Sequence, residues 1–300
     1  YQVLGFGGSG TAAVSANDNG LFGYGNANKS MTNLISNVGV VATDTTGVGT
    51  GRSELDATEY GGDKGIFGFG SVDGTGNVGM TNLVSNTGVV ATDVAAVGTV
   101  RRHLGGCEYG GDKGIFGYGT AVAITSLSNL VSNVGVVASD TTGVGTARNN
   151  LAACEYGGDK GIFAYGYSDA GVTAVSNLVS NVGVISDDVT GVGTARNDPS
   201  GCSFGDGGKD QGIIAYGGAY VNMSNLVSDV GVVATDVTGV GTARAGLAAC
   251  EYGQDKGIFG YGFKVGYTGV TNLVSNVGVV GTDVTGVGTA RGYLAACSYN

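Results

Sequence analysis

The chain is a succession of short apolar runs, rich in Val, Ile, Phe and Tyr, each stopped by Gly, Asn, Asp or Thr. Runs of this length and composition predict strands. They recur with a period. A Gly-Ile-Phe-Gly-Tyr-Gly phrase, or a close variant, places its aliphatic residue at Leu21, Ile66, Ile115, Ile162, Ile213 and Ile258, at spacings of 45, 49, 47, 51 and 45. An Asn-Leu-Val-Ser-Asn phrase starts at Asn33, Asn82, Asn129, Asn177, Asn225 and Asn272. A third phrase ends in Asp44, Asp93, Asp140, Asp188, Asp236 and Asp283, and a fourth, Gly-Thr-Ala-Arg or a variant, in Arg52, Arg101, Arg148, Arg196, Arg244 and Arg291. Asn to Asp is always 11 residues and Asp to Arg always 8, whereas the step from the aliphatic residue to the Asn ranges from 12 to 16. Each unit is therefore a fixed module with one connection free to vary. Arg to the next aliphatic residue is 14 four times and 17 once, where Pro199 and a glycine cluster are inserted.

In the third unit the pattern predicts strands over 104–109, 113–119, 128–133 and 135–139. Within the second of these, Phe116 and Tyr118 share one face and Ile115, Gly117 and Gly119 the other. An aromatic face beside a glycine-hollowed one suits sheets stacked front to back. The Leu-Val and Val-Val pairs place apolar groups on both faces, so each strand is expected to be covered twice. Four short strands per unit of about 47 residues predict an all-β β-propeller of four-stranded blades. A β-solenoid is the rival reading, with ends that need caps.

The two ends of the chain favour a ring. The segment after Arg291 reads as a first strand with nothing following it, and residues 1–7 read as an orphan second strand. Counting first strands, with 12–17 included, gives seven blades, the closing one reduced to two strands contributed by both termini. Counting third and fourth strands gives the alternative, six. Residues 1–300 are expected to form this single domain.

Glycine makes up 61 of 300 residues without the Gly-X-Y rule of collagen, there is one Pro, and Trp is absent. Only 13% of residues are charged, and the net charge is −10. A phosphate-binding surface needs a basic footprint, so no nucleic-acid partner is expected. No apolar stretch approaches the ~18–20 residues of a membrane span.

Chemistry is sparse. The only histidine, His103, follows Arg101-Arg102 in one unit alone, which excludes a His-rich metal site. Cys107, Cys154, Cys202, Cys250 and Cys297 share one repeat position, read as a small buried thiol filling space. The Asp and Arg of each unit form the recurring polar constellation. Asp140 and Arg148, for example, bracket a seven-residue loop. The pair is expected to bridge neighbouring blades, or the Asp to accept amides of its own loop. One carboxylate per loop is too few for a calcium cage. The Asp-Lys pairs such as Asp63-Lys64 fit turns. The Gly-x-Gly phrases open no helix, so the phosphate-loop reading fails. Asp187-Asp188 has no echo elsewhere in the chain. No cofactor, no metal and no catalytic set are expected. The variable connections, 26–31, 71–80, 120–127, 167–175, 217–223 and 263–270, are expected on one side of the ring. Their aromatics Tyr167, Tyr220, Phe263 and Tyr267 are the candidate binding residues.

From Arg148 through Leu151-Ala-Ala, the run Gly157-Gly-Asp-Lys-Gly-Ile-Phe-Ala-Tyr-Gly166, Asn177-Leu-Val and Asp188, the unit resembles kelch-type propeller repeats. It departs from them in lacking Trp and in placing a double glycine before the second strand. The near-verbatim phrases are also similar to repeat proteins of tailed-phage and environmental viral sequences. These resemblances imply a non-enzymatic structural or attachment propeller, virion-associated or extracellular. Its partner would be a protein or a surface glycan, within a larger homo-oligomeric assembly. The alternative is a lectin-type propeller with sugar sites between blades.

Overall fold

The computed structural model describes residues 18–205 and 209–300, and among these there is no helix. Eighteen strands form six three-stranded antiparallel sheets. The first strands are Asp56–Tyr60, Gly105–Tyr109, Ala152–Tyr156, Ser200–Phe204, Ala248–Tyr252 and Ala295–Tyr299. They pair respectively with second strands Lys64–Gly68, Lys113–Gly117, Lys160–Ala164, Gln211–Ala215, Lys256–Gly260 and Asn19–Gly25. Third strands follow at Thr81–Val84, Ser128–Val131, Ser176–Val179, Ser224–Val227, Thr271–Val274 and Lys29–Ile35. The first strands of successive sheets lie against one another, and Ala295–Tyr299 lies against both Ala248–Tyr252 and Asp56–Tyr60.

Two sequence expectations change. The fourth segment of each unit is not a regular strand. It is held to the third at two bridges, for example Val131↔Val137 and Ser128↔Thr141. Between those bridges the outer segment carries one residue more than its partner, which is the geometry of a bulge and breaks the ladder. Nor is this segment covered twice. The first valine of each Val-Val pair faces solvent (Val136 is 62% exposed), while the second is buried in four pairs and half-buried at Val280. The other change concerns the partner of the last strand. Ala295–Tyr299 pairs with Asn19–Gly25, with Cys297 opposite Leu21 just as Cys250 stands opposite Ile258. The sheet that holds Ala295–Tyr299 thus has three strands and not two. Asn19–Gly25 carries the full aromatic–glycine alternation and continues through a turn into its own third strand. Residues 1–7 and 12–17 lie outside the described residues.

Stacking follows from the glycines. A Cβ on Gly68 would sit 2.8 Å from the ring of Phe116, and one on Gly117 2.8 Å from Phe163, so each Phe lies in the hollow of the sheet before it. The rings are fully buried, each contributing roughly 1.5–3 kcal/mol. The cysteines do the converse. Cys107 Sγ would be 2.5 Å from a Cβ on Gly161 of the next sheet, and Cys154 Sγ 2.6 Å from one on Gly212. Thr58 fills the same place against Gly114. All five thiols are free and buried. Replacing Gly161 by Ala is expected to cost about 1–3 kcal/mol by overpacking. In the double variant with Cys107→Ala part of that cost should return, a coupling measurable by a double-mutant cycle in chemical denaturation.

Candidate functional site

The repeated Asp and Arg are inter-sheet clamps. Each Arg is buried and stacks on an aromatic of the preceding sheet, Arg148 lying 4.2 Å from the centroid of Tyr118. It then donates to main-chain carbonyls, Arg148 Nε to Tyr165 O at 2.9 Å and Nη2 to Phe163 O at 3.2 Å. Arg52, Arg101, Arg196 and Arg244 repeat the stack. Arg291 stacks on Tyr261 and donates to Tyr24 O at 2.8 Å, which ties the last unit to the first. The stacked aromatic has left-handed φ (65° at Tyr118), which turns its ring off the strand and under the guanidinium.

Each Asp accepts the amide and hydroxyl of a Thr in the preceding unit's loop, not its own. Asp140 takes Thr99 N and Oγ1, and Asp44 takes Thr289 N at 3.0 Å and Oγ1 at 2.6 Å. Asp93, Asp188, Asp236 and Asp283 are placed in the same way. Burial acts upward on Asp44, yet the hydrogen bonds from Thr289 and Asn33 hold its carboxyl below the ordinary range. The expected Arg–Asp pair is peripheral: Arg101 Nη1 reaches Asp140 Oδ1 only at 3.8 Å. Among the described residues no group of His, Cys, Asp or Glu is placed to hold a metal ion.

Two residues beyond each Arg lies a position at which the repetition fails. It holds Glu54, His103, Asn150, Asp198, Gly246 and Tyr293, six different residues, all with left-handed φ between 51° and 59°. Their main chains link in sequence. Glu54 N donates to Tyr293 O, His103 N to Glu54 O, Asn150 N to His103 O, Asp198 N to Asn150 O and Tyr293 N to Gly246 O, at 2.8–2.9 Å. Five backbone bonds thus link the six residues into a collar, with none between Asp198 and Gly246, at one mouth of a cavity that runs between the first strands.

The side chains of the collar converge. His103 Nε2 and Arg102 Nη1 lie 3.4 and 3.1 Å from Glu54 Oε2. Asn150 donates to Asp198. The Tyr293 ring meets His103 edge-on at 5.9 Å. Burial, then the Arg102 charge, lowers the His103 imidazole to about 4, so it is neutral at pH 7. Burial raises the carboxyls of Glu54 and Asp198.

Three of the four aromatics expected from the loops arrive at this mouth. Phe263 packs on Tyr293 at 5.1 Å and contacts Tyr220 and Tyr267 at 5.8 and 6.1 Å. Gly246 makes room, since a Cβ there would lie 2.8 Å from the Phe263 ring. Tyr167 is not among them. It sits 43% exposed on the hairpin of Tyr167–Ser168 with Gly171–Val172.

Deeper in the cavity, sequence reading passed over a second level: Glu59, Glu108, Glu155 and Glu251, with Ser203 and Ser298 at the two remaining equivalents. All four glutamates are buried. Lys209, from the inserted residues of the fifth unit, reaches Glu108 Oε2 at 2.7 Å. Burial, then the neighbouring Glu251, pushes Glu59 up to about 8.

No protein-family model matches the chain, and no curated protein does. Among solved structures it is similar to that of YjhT, at 11% identity and a TM-score of 0.64, over 86% of this chain and 92% of that one. The fold is of the β-propeller type. At that identity the likeness carries the fold alone, and the collar and the glutamate level are features of this chain's own residues. No helix among the described residues is long and apolar enough to cross a membrane.

Proposed function

We propose that the protein is a six-bladed propeller, closed where Ala295–Tyr299 meets Asn19–Gly25, that acts without catalysis as a recognition module and holds a carbohydrate at the collar mouth. Closure is supported by links that join the last unit to the first: Thr289 to Asp44, Arg291 to Tyr24 and Glu54 to Tyr293. The observation that carries the function is that one left-handed backbone position holds six different residues two places after an invariant Arg, beside a column (Ser53, Arg102, Asn149, Asn197, Ala245, Gly292) that varies as well. Left-handed φ costs a non-glycine residue about 1–3 kcal/mol. Under the clamps that conformation is occupied by aromatics of nearly one type, as a scaffold requires. At the collar the same backbone carries Glu, His, Asn, Asp and Tyr. Repetition of the fold does not need that variety.

The chemistry gathered there suits a sugar. Tyr293, Phe263, Tyr267 and Tyr220 offer apolar faces for the C–H side of a pyranose. Glu54, Asn150 and Asp198 offer acceptors and donors for its hydroxyls, in a concave site with few convergent polar groups. The inter-sheet spaces are filled at the clamp level by Arg–aromatic stacks, so the site lies on the axis and not between blades. A surface glycan is the ligand an attachment module needs, and a virion-associated or extracellular setting belongs to this reading.

A glycan array is the test. Binding to a defined set of glycans is expected, lost at least tenfold in Tyr293→Ala and Asp198→Ala while their unfolding temperatures stay within a few degrees of the parent. The bound glycan should be recovered with unchanged mass and linkage. No binding to any glycan, or equal binding by both variants, would refute the reading.

A further inference from the structure

The deeper level of the cavity has a separate chemistry. Four of its six equivalent positions carry glutamate, and the four divide into two kinds. Glu251 and Glu59 are tied to neighbouring sheets. Glu251 Oε1 accepts Ser203 N at 2.8 Å and Oε2 accepts Ser298 Oγ at 2.7 Å, while Glu59 Oε1 accepts Ser298 N at 2.7 Å. Glu108 and Glu155 are aimed instead at one point on the axis, where Lys209 Nζ sits 2.7 Å from Glu108 Oε2 and 3.5 Å from Glu155 Oε2. Glu155 is 4% exposed, and its Oε2 accepts no hydrogen bond. A buried carboxylate oxygen left in that state lacks a donor that an ammonium ion, with three N–H groups, is able to supply.

Lys209 is not part of the repeat. It arrives on the one connection lengthened by three residues, and 101 positions separate it in sequence from Glu108. The acidic cup belongs to the sheets, and the cation is brought to it by a loop. We propose that the cup is a binding site for a primary ammonium group, which the chain fills with its own Lys209. Selectivity for a primary ammonium follows from the contacts. The occupant donates through N–H bonds to carboxylates that converge from neighbouring first strands. A quaternary ammonium has no N–H, and an alkali ion donates no hydrogen bond of its own. The proposal is independent of the sugar reading, because no collar residue takes part in it.

Two measurements test it. In the native parent protein, reductive methylation followed by peptide mapping should leave Lys209 unmodified while Lys64, Lys113, Lys160 and Lys256, whose side chains are 37–40% exposed, react. Methylation of Lys209 at the same rate as these four would overturn the proposal. In Lys209→Ala, the unfolding temperature should fall by several degrees and recover saturably with methylammonium chloride. Tetramethylammonium chloride and sodium chloride at equal ionic strength should not restore it, and the parent should respond to none of the three. Equal recovery with sodium chloride, or no fall on substitution, would show that the cup needs no ammonium. Should the variant fail to fold, the methylation pattern still decides.

Discussion

Replacing Arg291 by methionine is expected to destabilise the fold by about 3–5 kcal/mol, lowering the unfolding temperature by roughly 10 °C. The guanidinium is fully buried and each of its three nitrogens donates a hydrogen bond. Nε donates to Tyr24 O at 2.8 Å, Nη1 to Thr289 O at 3.1 Å and Nη2 to Asn33 Oδ1 at 2.7 Å. Methionine keeps most of the apolar stem over the Tyr261 ring but leaves those three acceptors without donors in a dry junction, and each buried unpaired acceptor costs about 1–3 kcal/mol. The substitution falls where the last unit meets the first, so it probes closure directly. The same change at Arg148, inside the chain, should cost a similar amount. In a ring every junction is equivalent, whereas in an open array a terminal junction frays and matters less. Thermal unfolding of the two variants side by side separates these cases. Similar losses support a ring, and a much smaller loss at Arg291 supports an open one.

The second large effect concerns pH. Burial raises Glu59 to about 8, and Asp56, also driven by burial, to about 7. Glu155 is raised as well, by burial and then by Glu108. A carboxyl whose folded pKa lies above its unfolded value binds more protons when folded. Stability is therefore unaffected below the unfolded pKa, falls as pH rises through the window between the two values, and is level above the folded one. For Glu59 that window runs from about 4.5 to about 8. The repeated Asp residues act oppositely. Asp44, Asp93, Asp140, Asp188, Asp236 and Asp283 have carboxyls held low by Thr and Asn hydrogen bonds against the upward pull of burial. They stabilise the fold above about pH 4, and that contribution is lost as pH falls through their lower folded values. The unfolding temperature is accordingly expected to peak in mildly acidic buffer and to decline toward pH 8. Glu59→Gln should flatten the alkaline decline and stabilise the protein at pH 8 by an amount on the order of a few kcal/mol. A profile that rises from pH 5 to pH 8, in parent and variant alike, would contradict this assignment.

How far the residues announced this arrangement depends on the level at which they are read. The alternation of Phe116 and Gly117 predicts front-to-back stacking, and the glycine hollows are where period-two reading puts them, because steric demand is local. The constant Asp and Arg offsets mark the clamps, but not their partners. Each Asp bonds a Thr 41 to 43 residues before it, or at the closing junction 245 residues after it, which is a tertiary matter. The partner of Ala295–Tyr299 is ambiguous at this level because Leu4-Gly-Phe-Gly7 shares part of the signal of Leu21-Phe-Gly-Tyr-Gly25, and the pairing register assigns it to the latter. The collar was open to detection. Aligning units on their Arg shows one column, two residues on, in which Glu, His, Asn, Asp, Gly and Tyr replace one another. The recurring Glu-Tyr phrase likewise marked Glu59, Glu108, Glu155 and Glu251, but nothing in its spacing places Lys209 among them. That contact joins residues 101 positions apart. Tyr167 is an aromatic on a variable connection, as Tyr220, Phe263 and Tyr267 are. What distinguishes it is that a hairpin holds it apart from the others.

The functional account stands on where a ligand sits, and a crystal of the protein soaked with the tightest-binding glycan from the array addresses that most directly. The account predicts sugar density on the axis, one ring face against Tyr293 and Phe263 and hydroxyls within 3.2 Å of Asp198, Asn150 or Glu54. Density lodged instead between two sheets, or beside Tyr167 with the collar left to solvent, would contradict it.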